Sequence, residues 1–307
     1  MMSITQNIIK TVLLYVVVLA GLIMLVFFPR EADIAVSGKA MTIDYGYTFS
    51  WGQYKENISG WFSHIRENGS LGDTRYNNVT VEDELKRYFP NSLKIIVLAF
   101  VLSTFVGIAK GIFDYNSAKT KKNILGNGTT WLFQSIPDFL IVIVIQWLVI
   151  FMFPSVKILS QANWYSFILP GILVAIYPMM YVSRITSASI ASQEGLPYIQ
   201  VARAKGFTKR RVMYTHILKN SIGTVLGHIP SLMIYILSNL LIVEYLFGYE
   251  GIAYRLFVAM GISKAIAFGR GPIYEDGLII GIGICFMLTI TLSQIIGYLV
   301  KKQLKLQ

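Results

Sequence analysis

The side chains that could act as acids, bases, nucleophiles or ligands are few and scattered. The three histidines, His64, His216 and His228, stand far apart, and the one cysteine, Cys285, lies inside an apolar run. No His-Glu-x-x-His pair is present to hold zinc, no Gly-x-Ser-x-Gly elbow to expose a nucleophile, and no G-x-x-x-x-G-K-[ST] loop to cradle phosphates. The pattern therefore offers no catalytic residue and no metal site, and it excludes nucleotide hydrolysis by phosphate-loop chemistry. A single cysteine makes no disulfide within the chain and reads as a small buried hydrophobe. Two acids sit in apolar surroundings: Asp138, just after Pro137, and Glu244. An ionisable group within a membrane span is a functional candidate by default. Both lie near the ends of their runs, where water or headgroups reach them, and that placement favours a structural role.

The remaining chemistry is concentrated in one basic stretch, "LPYIQVARAKGFTKRRVMYTHILKN", residues 196–220. Pro197 suits a first helical turn, because its missing N–H would be unpaired there anyway. Gly206 is placed to close that helix in the left-handed conformation, and Thr208 to cap a second one. The spacing predicts a helix, a glycine elbow and a helix. Lys209, Arg210 and Arg211 fall in the first turn of the second helix, where the macrodipole disfavours cations. Attraction to anionic headgroups is sufficient to explain them. Ala202, Ala204 and Gly206 are small enough to let another backbone approach, so the first helix has the form of a plug for a socket. An ordinary basic loop of a membrane protein is the competing reading.

The elements that position this stretch are apolar. The chain has 307 residues, 54% hydrophobic and 14% charged, with a mean hydropathy of +0.58. A soluble domain is about a quarter charged. Six runs approach the roughly 20 apolar residues that cross a hydrocarbon core of about 30 Å: 9–28, 92–111, 129–153, 164–183, 222–247 and 277–299. The chain reads as an all-α polytopic membrane protein. The first run is too long for a signal-peptide core and lacks a nearby cleavage site, so it is expected to stay as a helix. With the N-terminus inside, the cytoplasmic pieces hold fifteen Lys/Arg against two acids, Asp114 and Glu194, while the outer pieces hold eleven against twelve. That asymmetry places both termini in the cytoplasm and accounts for the net charge of +11 without nucleic acid.

Residues 1–28 thus form an N-terminal span, 29–91 an extracytoplasmic segment, and 92–307 five further spans with the 184–220 loop inside. No linker or repeat divides them. In the outer segment Trp51, Tyr54, Ile58, Trp61, Phe62 and Ile65 recur at helical spacing, an amphipathic helix expected to pack on the span ends or lie at the interface. Thr80 with Asp83 makes a capping-box pattern, and Pro90 marks a step from that helix into the second span.

The 196–220 stretch resembles the EAA loop of ATP-binding-cassette importer permeases, in the form found in the oligopeptide, dipeptide and nickel class. Tyr198, Ala202, Arg203, Ala204, Lys205, Gly206, Arg211, Val212, His216, Leu218 and Asn220 carry the likeness. "LFQSIPDFLIVIVI", "LPGILVAIYPMMYVSRITSASI" with Arg184, and "LIVEYLFGYEGIAYRLFVA" with Glu244, Phe247, Gly248 and Gly251 are similar to the family's third, fourth and fifth spans. The chain departs from it in "FFPREADIAVSG" after the first span, in Ser187, where a second arginine is common, and in the tail "KKQLKLQ".

The resemblance implies the type I importer permease architecture, with 197–206 as a coupling helix seated in a cytoplasmic ATPase and Arg203 and Lys205 facing its acidic rim. It implies a second homologous permease, two ATPases and an extracytoplasmic substrate-binding protein as partners, in a bacterial inner membrane. This chain would hold no cofactor and catalyse nothing, ATP and Mg²⁺ belonging to the ATPases. Arg184, Glu244 and Asp138 are then candidates for gate or structural roles, and peptides are the expected cargo, with nickel and metallophores as minority cargo. A secondary transporter or channel working without ATPases is the rival. It requires midplane acids, broken helices or inverted repeats, none of which the sequence displays clearly. On the headgroup account of the basic turn, reversing Arg210 and Arg211 to glutamate disturbs insertion or orientation more than transport. Protease accessibility in spheroplasts is the check, and an unaltered topology removes that account.

Overall fold

The computed structural model describes residues 4–29, 33–37, 42–46, 48–118, 120–152, 163–262 and 274–303. Arg30, Glu31, Lys39, Lys119, Lys157, Lys264, Arg270 and Lys305, which enter the charge balance, lie outside them. The described chain begins with α1 (Ile4–Val26), followed by strands β1 (Asp33–Ser37) and β2 (Thr42–Gly46), α2 (Trp51–Asn68) and α3 (Val81–Ser117). A 3-10 turn (Lys121–Ile124) leads to α4 (Asn127–Ser135), α5 (Asp138–Met152) and α6 (Ile168–Gln193). Then come α7 (Pro197–Ala204), α8 (Lys209–Arg211), a π-helical segment (Val212–Ile217), α9 (Leu218–Gly227), α10 (Ile229–Phe247), α11 (Ile252–Ala259) and α12 (Asp276–Gln303).

Among the described residues four helices, α3, α6, α10 and α12, are long and apolar enough to cross a membrane. The bent pair α4–α5 makes a fifth if counted as one span, and Leu13–Val26 of α1 is a shorter apolar stretch. The expectation of a purely helical chain is corrected by β1 and β2, an antiparallel hairpin in register from Asp33 opposite Gly46 to Ser37 opposite Thr42.

Two further expectations change. The run 129–153 is not one straight helix, because α4 and α5 meet at 96°. Pro137 is the cause: it lacks an N–H and drives the preceding residue out of the helical region, and Ile136 is extended at φ −90°, ψ 132°. The step expected at Pro90 is absent, since α3 runs through it unbroken. Proline removes one backbone hydrogen bond there, but Pro90 and Lys86, whose carbonyl loses its donor, are both exposed, so the carbonyl can be solvated.

The chain forms two compact units, Met1–Arg87 with Leu256–Met287, and Tyr88–Arg255 with Leu288–Gln307. In the first, α2 packs on the end of α1: the Tyr54 hydroxyl donates to the Met24 carbonyl at 2.9 Å, and the Trp61 and Phe27 rings lie 5.4 Å apart. Tyr54, Ile58, Trp61 and Ile65 are half-buried while Trp51 and Phe62 stay exposed. The Thr80–Asp83 box closes as expected, with Thr80 Oγ1 accepting from the Asp83 N–H and Asp83 Oδ2 accepting from the Thr80 N–H, both at 3.4 Å. Arg75 grips Glu275 through its backbone N–H (2.8 Å) and its guanidinium Nε (2.9 Å).

In the second unit α6 is the central post, with Leu173, Val174, Val182 and Ile190 buried, and α10 supplies Leu232, Ile236, Leu240 and Val243. Gly107 and Gly111 of α3 face α6 one turn apart. A methyl group at Gly107 would stand 2.8 Å from Val182 Cβ, and one at Gly111 2.5 Å from Thr186 Cβ. Small residues four apart are what allow helix backbones to touch in a membrane. Gly111→Val therefore forces α3 away from α6, at a cost of about 1–3 kcal/mol typical of overpacking. The melting temperature of the detergent-solubilised protein reads this, and an unchanged value would mean that the two helices do not touch.

Candidate functional site

The hairpin is built from α7 outward. Leu196 is extended (φ −71°, ψ 148°) and Pro197 opens the helix. Ile199 and Ala202 then turn inward and join Ile190, Val212 and Ile217 in a buried cluster, edged by Ile112, Tyr115 and Phe207. Gly206, at φ +79°, ends the helix. Its N–H donates to the Arg203 carbonyl at 3.0 Å, and the Phe207 N–H donates to the Ala202 carbonyl at 3.3 Å. These two bonds form a Schellman motif, which glycine enters without the Cβ penalty. Thr208 caps α8 by accepting from the Arg211 N–H at 3.4 Å.

The residues singled out from the sequence divide into two sets. Tyr198, Ala202, His216 and Asn220 hold the hairpin to its own chain. The Tyr198 hydroxyl donates to Gln193 Oε1 at 2.5 Å and accepts from Asn220 Nδ2 at 2.9 Å, linking the end of α6, α7 and α9. The His216 ring lies 6.0 Å from Phe207 and nearly parallel to it. The Arg211 guanidinium sits 4.6 Å from the same ring, a cation–π contact that gives this arginine a local reason to occupy an unfavourable first turn. Arg203, Ala204, Lys205 and Gly206 are exposed. With Leu196 and Val201 (54% exposed) they form the outward face, and a Cβ added at Gly206 would meet nothing. Arg203 pairs with Glu194 at 3.4 Å, both largely in solvent, where such a pair contributes little.

The expected single second helix is interrupted by the π segment Val212–Ile217. Such widened turns hold one residue more than an α-turn, and neither composition nor period announces this one.

The other candidates are dispersed. Asp138 opens α5, its Oδ1 accepting from the Phe139 N–H at 2.8 Å. Arg184 is exposed on α6. Glu244 is fully buried near the end of α10. One of its carboxylate oxygens accepts a short bond from Ser92 Oγ, and the other accepts the Ala253 and Tyr254 N–H groups at 2.8 and 3.1 Å. Ser92 Oγ in turn accepts the Ile252 N–H at 2.7 Å. The first three N–H groups of α11, which no helix satisfies internally, are thus met by a side chain of α10 and one of α3. Any Cβ at Gly251 would strike the Glu244 carboxylate.

Sequence reasoning passed over a second buried acid. Asp114 counts as a cytoplasmic loop charge by run length, yet it is fully buried on α3. Lys110 Nζ donates to its Oδ1 at 2.7 Å, while Thr130 of α4 and Ser183 of α6 donate to its Oδ2 at 2.6 and 2.7 Å. The i,i+4 spacing of Lys110 and Asp114 was the available signal.

Several helices long and apolar enough to cross a membrane, with a basic hairpin braced at its back and open at its face, mark a polytopic membrane protein. The chain belongs to the family of binding-protein-dependent transport system inner membrane components, whose pattern matches residues 103–306. The oligopeptide transport system permease protein OppB of Salmonella typhimurium is 27% identical over 215 residues, 67% of this chain and 69% of the relative. The dipeptide transport system permease protein DppB of Alkalihalophilus pseudofirmus is 22% identical over 277 residues, 81% and 80% respectively. Among solved structures, the MetNI methionine ABC transporter in inward-facing form matches with a TM-score of 0.52 at 14% identity, covering 72% of this chain and 95% of the other. An amino acid ABC transporter crystallised with histidines matches with a TM-score of 0.53 at 14% identity, covering 79% and 98%. At that identity the likeness establishes the fold.

Glu244→Ala leaves Ser92 and two helix N–H groups without their acceptor, and each stranded buried group costs about 1–3 kcal/mol. A lowered melting temperature is expected, with Glu244→Gln losing less because one acceptor oxygen remains. Equal stability of Glu244→Ala and the parent would remove the anchoring role.

Proposed function

We propose that this chain is one of two permease subunits lining the pore of an ATP-binding-cassette importer of peptides in a bacterial inner membrane. The observation that carries the reading is family membership over residues 103–306, a range that includes the hairpin with its exposed Leu196–Gly206 face. The relatives named for oligopeptide and dipeptide transport support peptide as the cargo. Six crossings, α1, α3, α4–α5, α6, α9–α10 and α12, with both termini cytoplasmic, agree with the charge asymmetry.

In this scheme α7 seats in a groove of a cytoplasmic ATPase, a second permease and a second ATPase repeat the arrangement, and a binding protein delivers cargo from outside. ATP and Mg²⁺ act in the ATPases, and this chain converts their closure into pore opening. Val201 and Ala204 supply a close-packing surface, and Arg203 and Lys205 meet acidic rim groups. Ala202 serves from the inside, where its small side chain lets α7 lie close against α6. The load passes through the Ile199 and Ala202 contacts and the Tyr198 bridge into α6 and α9. Glu244 and Asp138 have structural roles, positioning α11 and starting α5.

Gly206→Val places a β-branched side chain at positive φ and is expected to lower ATP-driven peptide uptake in proteoliposomes more than tenfold, while membrane insertion stays normal. Uptake equal to the parent overturns the coupling role. Mass spectrometry of proteins retained by the tagged chain in mild detergent tests the assembly: two ATPase copies and a homologous permease are expected, and recovery of this chain alone contradicts the proposal.

A further inference from the structure

A cavity of about 710 Å³ opens beside the hairpin, between the end of α3, the length of α4 and the last turns of α6. That volume falls in the range of pockets built for small molecules. Its walls include Arg184 and Glu194 at the two ends of one α6 edge with Ser187 between them, Asn116 of α3, and Gln134 and Trp131 of α4, the last 73% exposed. Among the described residues Arg184 has no acidic partner, and the side chains of Asn116, Gln134 and Ser187 have no hydrogen-bond partner. Glu194 is held by the Tyr115 hydroxyl and by the exposed Arg203 of α7. The floor is fixed, because Thr130 lines the cavity and belongs to the buried Lys110–Asp114 network.

Along α6 the order is an unpaired guanidinium, the Ser187 hydroxyl, then a carboxylate, and the Asn116 and Gln134 amides line the same cavity. Ten residues of helix separate Arg184 from Glu194, about 15 Å of rise. An extended peptide of three to five residues covers about 10–17 Å. Its carboxylate can take the paired N–H groups of Arg184, its backbone amides can bond to the neutral polar side chains of the cavity, and its ammonium can reach Glu194. A phosphatidylethanolamine headgroup has the same two charges, but only two carbons separate its phosphate from its amine, so it cannot meet both ends.

Resting on the reading of this chain as a peptide permease, we propose that the cavity is a cytoplasmic-side site for a short peptide with free termini, through which accumulated product slows the transporter. The link to coupling is Glu194. A peptide ammonium competes there with Arg203, displaces it from its weak pairing with Glu194, and so changes the charge that the outward face of the coupling helix presents.

The test uses the complete transporter, with its partner subunits, in proteoliposomes whose ATPase side faces the bath. Tetraalanine added to that side is expected to inhibit ATP hydrolysis. Acetylating its amine or amidating its carboxylate is expected to raise the half-inhibitory concentration at least tenfold. Arg184→Gln raises it similarly for the free peptide, measured against that variant's own uninhibited rate, and amidation then adds no further loss. Equal potency of free and blocked peptides on the parent overturns the proposal, as do additive losses from amidation and Arg184→Gln. So does native mass spectrometry finding an Arg184-dependent phospholipid with no response to tetraalanine. Intact uptake without inhibition sinks this inference alone, whereas absence of peptide uptake by the parent complex sinks the permease reading beneath it.

Discussion

The hairpin keeps one shape because its inner face is buried against the chain that bears it. Ile199 and Ala202 lie in the same apolar cluster as Ile190 of α6 and Val212 and Ile217 of the returning segment. Full burial of an isoleucine contributes about 1.5–3 kcal/mol, so this small cluster makes α7 a rigid extension of the helices behind it. The Schellman bonds at Gly206 and the Tyr198 bridge then fix its angle. A helix of eight residues has little stability of its own. Its order is borrowed from α6 and α9.

Polar groups elsewhere follow a related logic. Lys110 with Asp114, and Glu244 with Ser92, are charges or carboxylates within long apolar helices, and each has its hydrogen-bonding capacity met by neighbours. Removing one partner from such a group is costly because the remainder stays buried. These networks lock particular helix pairs together where apolar contact alone would let them slide. The first fixes α3, α4 and α6 at the end that carries the hairpin, and the second fixes α3, α10 and α11.

Much of the local construction was legible in the residues. Pro197, Gly206 and Thr208 each announced a backbone conformation that only one type of turn accommodates, and the Thr80–Asp83 pair named its helix start. What was not legible depends on tertiary distance. Run length alone placed Asp114 in a loop, because burial of an acid depends on partners sixteen and sixty-nine residues away. A step is expected at Pro90 and a single span over 129–153, whereas α3 passes through Pro90 unbroken and the chain bends at Pro137, because the cost of a proline depends on what can solvate or replace the lost bond. Alternation and turn residues in 33–46 were too short a signal against the surrounding helical expectation, so the β1–β2 hairpin went unseen. Ala202 looked available to a partner by its size, while its direction depended on which face of α7 met Ile190.

The π segment Val212–Ile217 acts as a phase setter between the hairpin and the α9–α10 span. One surplus residue in a helix rotates everything after it by about 100° relative to an uninterrupted α-helix. The reach of Asn220 back to Tyr198, and the direction from which α9 meets α6, are therefore settled by how many residues occupy this stretch. Exposed positions within it, Tyr214 and Thr215, can change identity at small cost. Loss of a single residue would turn the whole span about its axis relative to the hairpin.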